Sequence, residues 1–125
     1  MPLERPQIAK PEGDIPFDLG VEDLVVGNGA EAAPGTKVSV HYVGVAFSTG
    51  DEFDASWNRG KPFEFKLGKG QVIPGWDAGV AGMRVGGRRK LTIPSAMAYG
   101  ARGAGGGVIK PHEPLVFVVD LLAVD

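Results

Sequence analysis

Glycine and proline set the first limit on what this chain can become. Twenty glycines and ten prolines fall among its 125 residues. That share, about a quarter, lies near the level at which a low-complexity, disordered chain is suspected. Their placement argues for order instead. They stand between short apolar segments without forming a repeat, the pattern of turns joining short strands. Hydrophobic residues make up 43% and charged residues 22%, an ordinary globular balance. A chain of this length fits one domain and buries on the order of two-thirds of its unfolded surface, enough for one core.

Charge and cysteine content exclude several classes of function. The net charge of −2 gives no electrostatic reason to expect nucleic acid or an anionic membrane as partner. One short basic cluster, Arg84 with Arg88, Arg89 and Lys90, reads as the solvated face of a strand, with a nucleic-acid patch as the alternative. The absence of cysteine removes disulfides, zinc thiolates and thiol catalysis. The opening residues Met1-Pro2-Leu3-Glu4-Arg5-Pro6 lack the apolar run of a signal peptide, and no stretch approaches the roughly 18 apolar residues of a membrane span. The default expectation is a cytoplasmic protein.

Along the chain, residues 1–20 carry Pro2, Pro6, Pro11 and Pro16 with little apolar periodicity. They read as an extended arm whose Ile15 and Phe17 are candidates to dock on the body. From Val21 onward the pattern is that of a folded domain, 21–125. Val21, Leu24, Val25 and Val26 make a short strand. Val38, Val40 and Tyr42 alternate with Ser39 and His41, and Phe63, Phe65 and Leu67 alternate with Glu64 and Lys66, as strands with one packed and one wet face do. The period then changes. Ile73, Trp76, Val80 and Met83 are spaced as the apolar stripe of a short helix, with Pro74 in its first turn and Gly86-Gly87 at its end. Arg88 to Pro94 returns to strand, Ser95 is placed to cap a single helical turn, and Leu115 to Val124 is the last strand. The expected fold is α+β, about five antiparallel strands curled around one short helix.

Two histidines, His41 and His112, are too few and too scattered for a catalytic metal site, and no Gly-x-Ser-x-Gly elbow is present. The glycine-rich stretch from Gly100 to Gly107 lacks the Gly-Lys-Ser/Thr ending of a phosphate loop. Asp51 and Glu52 read as a solvated hairpin turn. Asp54 differs, because it follows Phe53 and precedes a loop holding Arg59, a possible partner. Seven of the ten aromatic residues, Tyr42, Phe47, Phe53, Trp57, Phe63, Phe65 and Trp76, lie between positions 42 and 76. That exceeds what a thin core needs and points to a lined apolar cavity centred on Val72-Ile73-Pro74-Gly75-Trp76. Phe63, Phe65, Trp76 and Phe117 would sit in a core whatever the function, Phe65 first among them. Tyr99, a polar-tipped aromatic beside the glycine-rich loop, suits a site better.

Val40-His41-Tyr42-Val43-Gly44, Phe53-Asp54-Ala55-Ser56, Lys61-Pro62-Phe63-Glu64-Phe65, Val72-Ile73-Pro74-Gly75-Trp76, Lys90-Leu91-Thr92-Ile93-Pro94, Ala98-Tyr99-Gly100 and Leu115-Val116-Phe117 follow one another in this order. In sequence and spacing the chain from residue 21 to 125 resembles FKBP-type peptidyl-prolyl isomerases, most of all the small actinobacterial ones. The resemblance implies an enzyme that accelerates X–Pro rotation in polypeptides with no cofactor and no metal; a non-catalytic module binding proline peptides or macrolides is the alternative. It implies catalytic roles for Tyr99, Asp54, Phe53, Trp76 and Phe117. Substrate contacts are implied for Tyr42, Phe63, Gln71, Val72, Ile73, Trp76, Tyr99, Ile109 and Phe117, with Arg59 beside Asp54. Trp76 would be the pocket floor, and the Tyr99 hydroxyl and the Ile73 N–H would donate to a bound carbonyl. The implied partners are proline-containing polypeptides and macrolide inhibitors, not nucleic acid or membrane, and the expected state is a monomer. Gln71 stands where the best-studied members carry glutamate. Ala104 and Gly105 stand where some relatives place His and Pro, in a loop about one residue longer.

Overall fold

The structure is a computed structural model that describes residues 4–11, 13, 16–104 and 109–125. Its elements are β1 (Gly20–Val25), β2 (Lys37–Ala46), β3 (Glu52–Ala55), a 3-10 turn (Ser56–Arg59), β4 (Phe63–Lys66), α1 (Pro74–Val80), β5 (Arg88–Ile93), a second 3-10 turn (Ser95–Met97) and β6 (Leu115–Val124). The fold is α+β, with six antiparallel strands where about five were expected. They run β1–β5–β6–β2–β3, with β4 also on β2.

The outer edge of β2 is shared between two strands. β4 pairs with Lys37–Val40, and β3 pairs with Val43, Gly44 and Val45 through Ala55, Asp54 and Glu52. The chain leaves that edge at Ala55 and returns at Phe63, so the middle of β2 has no strand partner on that side. Ser56 fills the gap: its hydroxyl accepts the N–H of Tyr42 at 2.7 Å and sits 2.8 Å from His41 Nδ1. This break places Tyr42 at the opening between β3 and β4.

Alternation in β2, β4, β5 and β6 turns Val38, Val40, Tyr42, Phe65, Leu91, Ile93, Leu115, Phe117, Val119 and Leu121 to one face, where they form the core with Trp76 and Val80 of α1. The helix lies close on β5. A Cβ at Gly75 would come within 2.5 Å of Ile93, and one at Gly79 within 2.6 Å of Leu91, so bare glycine at these two positions, four apart on one helix face, lets the backbone approach the sheet.

The helix is shorter than its periodicity predicts. Ala81 turns extended (φ −55°, ψ 132°), because Gly82 N–H donates to Ala32 C=O at 2.9 Å and Met83 C=O accepts from Ala32 N–H at 2.7 Å. Met83 is buried, but outside the helix. Ser95 does not cap its turn: Pro94 holds the cap position and no side-chain bond is made there.

Two members of the basic cluster are not on a solvated face, whereas Arg84 is exposed. Arg88 makes a forked ion pair with the buried Asp120 (2.6 and 2.9 Å). Arg89 donates to the carbonyls of Gly79 and Ala81 at the end of α1 while pairing with Asp23, satisfying acceptors a helix end leaves free. The sheet's second face is not uniformly wet either. Val43, Val45, Val116 and Val118 point away from the main core yet are no more than 3% exposed. The N-terminal arm borders this side, where Gln7, Ile8 and Ala9 line one shallow cavity together with Val118, Leu24, Lys90 and Glu22. Pro6 is the buried arm residue. Phe17, expected to dock, is 95% exposed, and Ile15 lies outside the described residues.

Candidate functional site

One cavity of about 180 Å³ opens at the start of α1, lined by Tyr42, Phe53, Asp54, Phe63, Gln71, Val72, Ile73, Trp76, Tyr99 and Phe117. Trp76, only 4% exposed, lies at its base, with its indole Nε1 buried and unpartnered among the described residues. The other rings stand nearly perpendicular to it. Tyr42 meets it at 4.9 Å and 82°, Phe117 at 5.2 Å and 86°, Phe63 at 6.0 Å and 72°. Phe53 meets Phe117 at 5.5 Å and 89°. Edge-to-face pairs of this kind add about 0.5–1.5 kcal/mol each beyond burial, so the walls hold one another in place without a bound ligand.

The walls fit closely because β2 carries no side chain at one point. A Cβ on Gly44 would lie 2.6 Å from the Phe117 ring and 2.8 Å from that of Phe53. The loop before the helix is tied down by Asp77 of its first turn, whose carboxylate accepts the N–H groups of Gly68 (2.8 Å) and Gly70 (3.0 Å). Gln71 spends its side-chain oxygen on the Lys66 N–H at 2.9 Å.

One rim is polar. The Tyr42 hydroxyl donates to Asp54 Oδ2 at 2.5 Å, and Arg59 donates to Asp54 Oδ1 at 2.9 Å and to the Tyr42 oxygen at 2.8 Å. Burial, reinforced by the Asp54 carboxylate, pushes the Tyr42 hydroxyl up to about 12. Its bonds to Tyr42 and Asp54 hold the Arg59 guanidinium above its usual range. Tyr99, 40% exposed, makes no side-chain hydrogen bond among the described residues; burial, and then the Asp54 charge, raises its hydroxyl as well.

Of the residues singled out in the sequence, ten line the cavity. Arg59 stands behind it, its guanidinium 5.8 Å from the centre of the Tyr42 ring. Ile109 does not line the cavity: it is buried in the core and bridged to Ala104 by two backbone hydrogen bonds. Gly105–Val108, between these two, lie outside the described residues. Phe47 and Trp57, counted among the clustered aromatics, also stay out of the cavity, and Trp57 stacks on His41 at 4.3 Å. Ser56, Asp77 and Gly44 were passed over, since a serine, an aspartate or a glycine shows its role only once its spatial neighbours are known. Among the described residues no three His, Cys, Asp or Glu side chains converge as a metal site requires, and no helix is long and apolar enough to cross a membrane.

A six-stranded antiparallel sheet curled over one short helix, with an aromatic cavity at the helix start, defines a class of protein that the comparisons identify. The family model for FKBP-type peptidyl-prolyl cis-trans isomerases matches residues 29–122. The chain is 62% identical over 124 residues to the FK506-binding protein of Streptomyces anulatus, covering 99% of this chain and 100% of that one. It is 54% identical over 106 residues to a peptidyl-prolyl cis-trans isomerase of Saccharomyces cerevisiae, covering 85% of this chain and 75% of that one. The crystal structure of AtFKBP13 superposes with a TM-score of 0.79 at 43% identity, covering 86% of this chain and 93% of that one. This chain therefore belongs to the FKBP-type peptidyl-prolyl cis-trans isomerases, and is similar to their actinobacterial members.

Proposed function

We propose that the cavity above Trp76 is where this chain isomerises proline, taking the pyrrolidine ring of an X–Pro segment in a polypeptide. The observation that carries the reading is the ring of perpendicular aromatics around about 180 Å³ of space, with a Tyr99 hydroxyl at its rim that has no side-chain partner among the described residues. Rotation about an X–Pro bond takes tens to hundreds of seconds at 25 °C because amide resonance is lost on the way. The planar ground state is dipolar, and the twisted transition state is less so. An apolar, water-poor cavity therefore favours the twisted state without any covalent step. A rate gain of about 10⁶ corresponds to about 8 kcal/mol, shared among desolvation, orientation and a few hydrogen bonds.

In this reading Trp76, Phe53 and Phe117 hold the ring, with Tyr42, Phe63, Val72 and Ile73 completing the apolar wall. The Tyr99 hydroxyl and the Ile73 N–H, which makes no backbone bond among the described residues, donate to the substrate carbonyls. Asp54 and Arg59 fix the Tyr42 hydroxyl. Gln71 offers its remaining amide N–H groups to the extended chain, and Ile109 supports the wall from behind. Residues 21–125 form the isomerase domain and residues 1–20 its arm.

Drug-sized ligands fill pockets of about 300–1,000 Å³, so a macrolide would insert one ring and lay the rest across the rim. The reading extends to a monomer with a cytoplasmic folding role. A protease-coupled assay on X–Pro peptides, run with and without a macrolide, tests the reading. Acceleration that the macrolide abolishes is expected. Peptide binding without acceleration at micromolar protein would leave a non-catalytic module instead.

A further inference from the structure

We propose that Arg5, on the N-terminal arm, is a positioning residue for the isomerase site, clamping from outside the segment that carries Phe53, Asp54 and Arg59. The proposal rests on the reading of the cavity given above.

That segment needs an outside support. β3 has four residues, pairs only with β2, and its register slips between Gly44 and Val45. It is followed directly by the 3-10 turn Ser56–Arg59, and nothing in the sheet lies beyond it. Arg5 closes this open edge. Its guanidinium pairs with Glu52 and donates to Asn58 Oδ1 at 2.8 Å. Asn58 Nδ2 in turn donates to Glu52 Oε2 at 3.1 Å. The three side chains form a closed ring that ties position 52 to position 58. Phe53 and Asp54 lie within the tied stretch, and Arg59 comes immediately after it.

A clamp must itself be held. The Glu4 carbonyl accepts from Arg88, whose guanidinium is locked onto the buried Asp120. Pro6, next to Arg5, is buried, and Gln7 to Ala9 border one cavity with Val118 and Leu24. Farther along, Lys10 approaches the β2–β3 turn so closely that a Cβ on Gly50 would be 2.9 Å from its Cα. The arm is thus fixed to the sheet on both sides of Arg5. Its pair with Glu52 is exposed (side chains 40% and 36%) and adds little to stability. What it supplies is placement of the wall, and small displacements of a positioned group can cost as much as ~100-fold in rate.

The test uses the full chain in the peptide assay, with kcat and KM resolved, at low salt and in about 1 M NaCl, where screening acts within about 3 Å. Arg5→Ala should lower kcat/KM roughly three- to tenfold with an unchanged melting temperature, within the range such misplacement allows. Arg5→Lys should recover part of it, since lysine keeps the charge on Glu52 but lacks the fork that also reaches Asn58. High salt should bring the wild type toward Arg5→Ala and leave that variant unmoved. The Arg59 Nε–Hε NMR signal should shift in Arg5→Ala without substrate. Wild-type kcat/KM in Arg5→Ala overturns the proposal, as does a loss that follows a lowered melting temperature and ignores salt. Phe117→Ala run alongside separates the two readings: if it is fully active the cavity assignment fails, and if only Arg5→Ala is fully active the clamp alone fails.

Discussion

The hydroxyl oxygen of Tyr42 is shared by Asp54, which accepts its proton at 2.5 Å, and Arg59, which donates to it at 2.8 Å. A central strand is thereby bonded to both ends of the β3–turn segment. Because the three groups act as a unit, their removal should be non-additive. Tyr42→Phe is expected to lower kcat/KM a few-fold and Asp54→Ala about tenfold, the latter about 1.4 kcal/mol. The double variant should be little worse than Asp54→Ala alone. Fully additive losses in the peptide assay would show that the groups work independently.

Trp76→Ala removes the floor of the cavity and a large part of the core beneath it. Truncating a buried aromatic costs about 3–5 kcal/mol, which urea unfolding would read directly, and activity should fall below detection. Tyr99→Phe removes one hydrogen-bond donor and no packing; a net loss of about 0.5–1.5 kcal/mol should appear in kcat/KM with stability unchanged. A stable, fully active Trp76→Ala protein would refute the floor assignment.

Gly44→Ala adds one methyl group where the Phe53 and Phe117 rings already meet the backbone. Both rings must move, at an overpacking cost of about 1–3 kcal/mol. We expect activity on X–Pro peptides to drop more than stability does, because the displaced rings are the cavity walls. Equal turnover in Gly44→Ala would mean that the walls can shift without consequence.

The chain has two tyrosines, and burial raises both hydroxyls, Tyr42 to about 12. Absorbance at 295 nm should show their ionisation above the value of about 10 found for free phenols, returning to it in urea. The sign follows from the raised folded values. The stabilisation is complete below the unfolded pKa and is lost as pH rises through the folded ones. Tyr42→Phe should remove the highest-lying step.

His41 stacks on Trp57 at 4.3 Å and 18°, and burial lowers its pKa below 6.5 against the opposing charge of Asp120. A depressed value means that the unfolded chain takes up the proton first. Stability therefore falls as pH drops below about 6.5 and through the folded value. Protonation beneath the indole should quench Trp57 fluorescence below that pH, a step absent from Trp57→Phe and from His41→Gln. A fluorescence midpoint above 6.5 would contradict the burial argument.

Much of this was legible in the sequence, for identifiable reasons. Alternation with a period of two exposes β2, β4 and β6, and the change of period between Leu67 and Ile73 marks the helix. The density of aromatics between Tyr42 and Trp76 foretells a cavity, and the family resemblance names every residue lining it. What stayed hidden depends on partners distant in sequence. Arg89 looks like a surface charge until the end of α1 is seen beside it. Val118 looks like an ordinary strand residue until the arm is found bordering the same cavity. Phe17 is more apolar than Pro6, yet it is Pro6 that the path of the arm buries. Ile109, expected in the cavity wall, belongs to the same buried cluster as Tyr42, Trp76 and Phe117 without being among the described lining residues, a distinction that local sequence cannot draw.

The position of β6 has a consequence for how the chain is made. This C-terminal strand lies in the interior of the sheet, with β5 on one side and β2 on the other. Until residues 115–124 have emerged from the ribosome, β2 and β5 have nothing to join them, and their apolar faces stay open. The sheet can therefore close only once residues 115–124 are available, and its long-range pairing makes that closure slow compared with a helical domain of equal size. The joining of the two halves of the sheet thus waits on the last strand to pair.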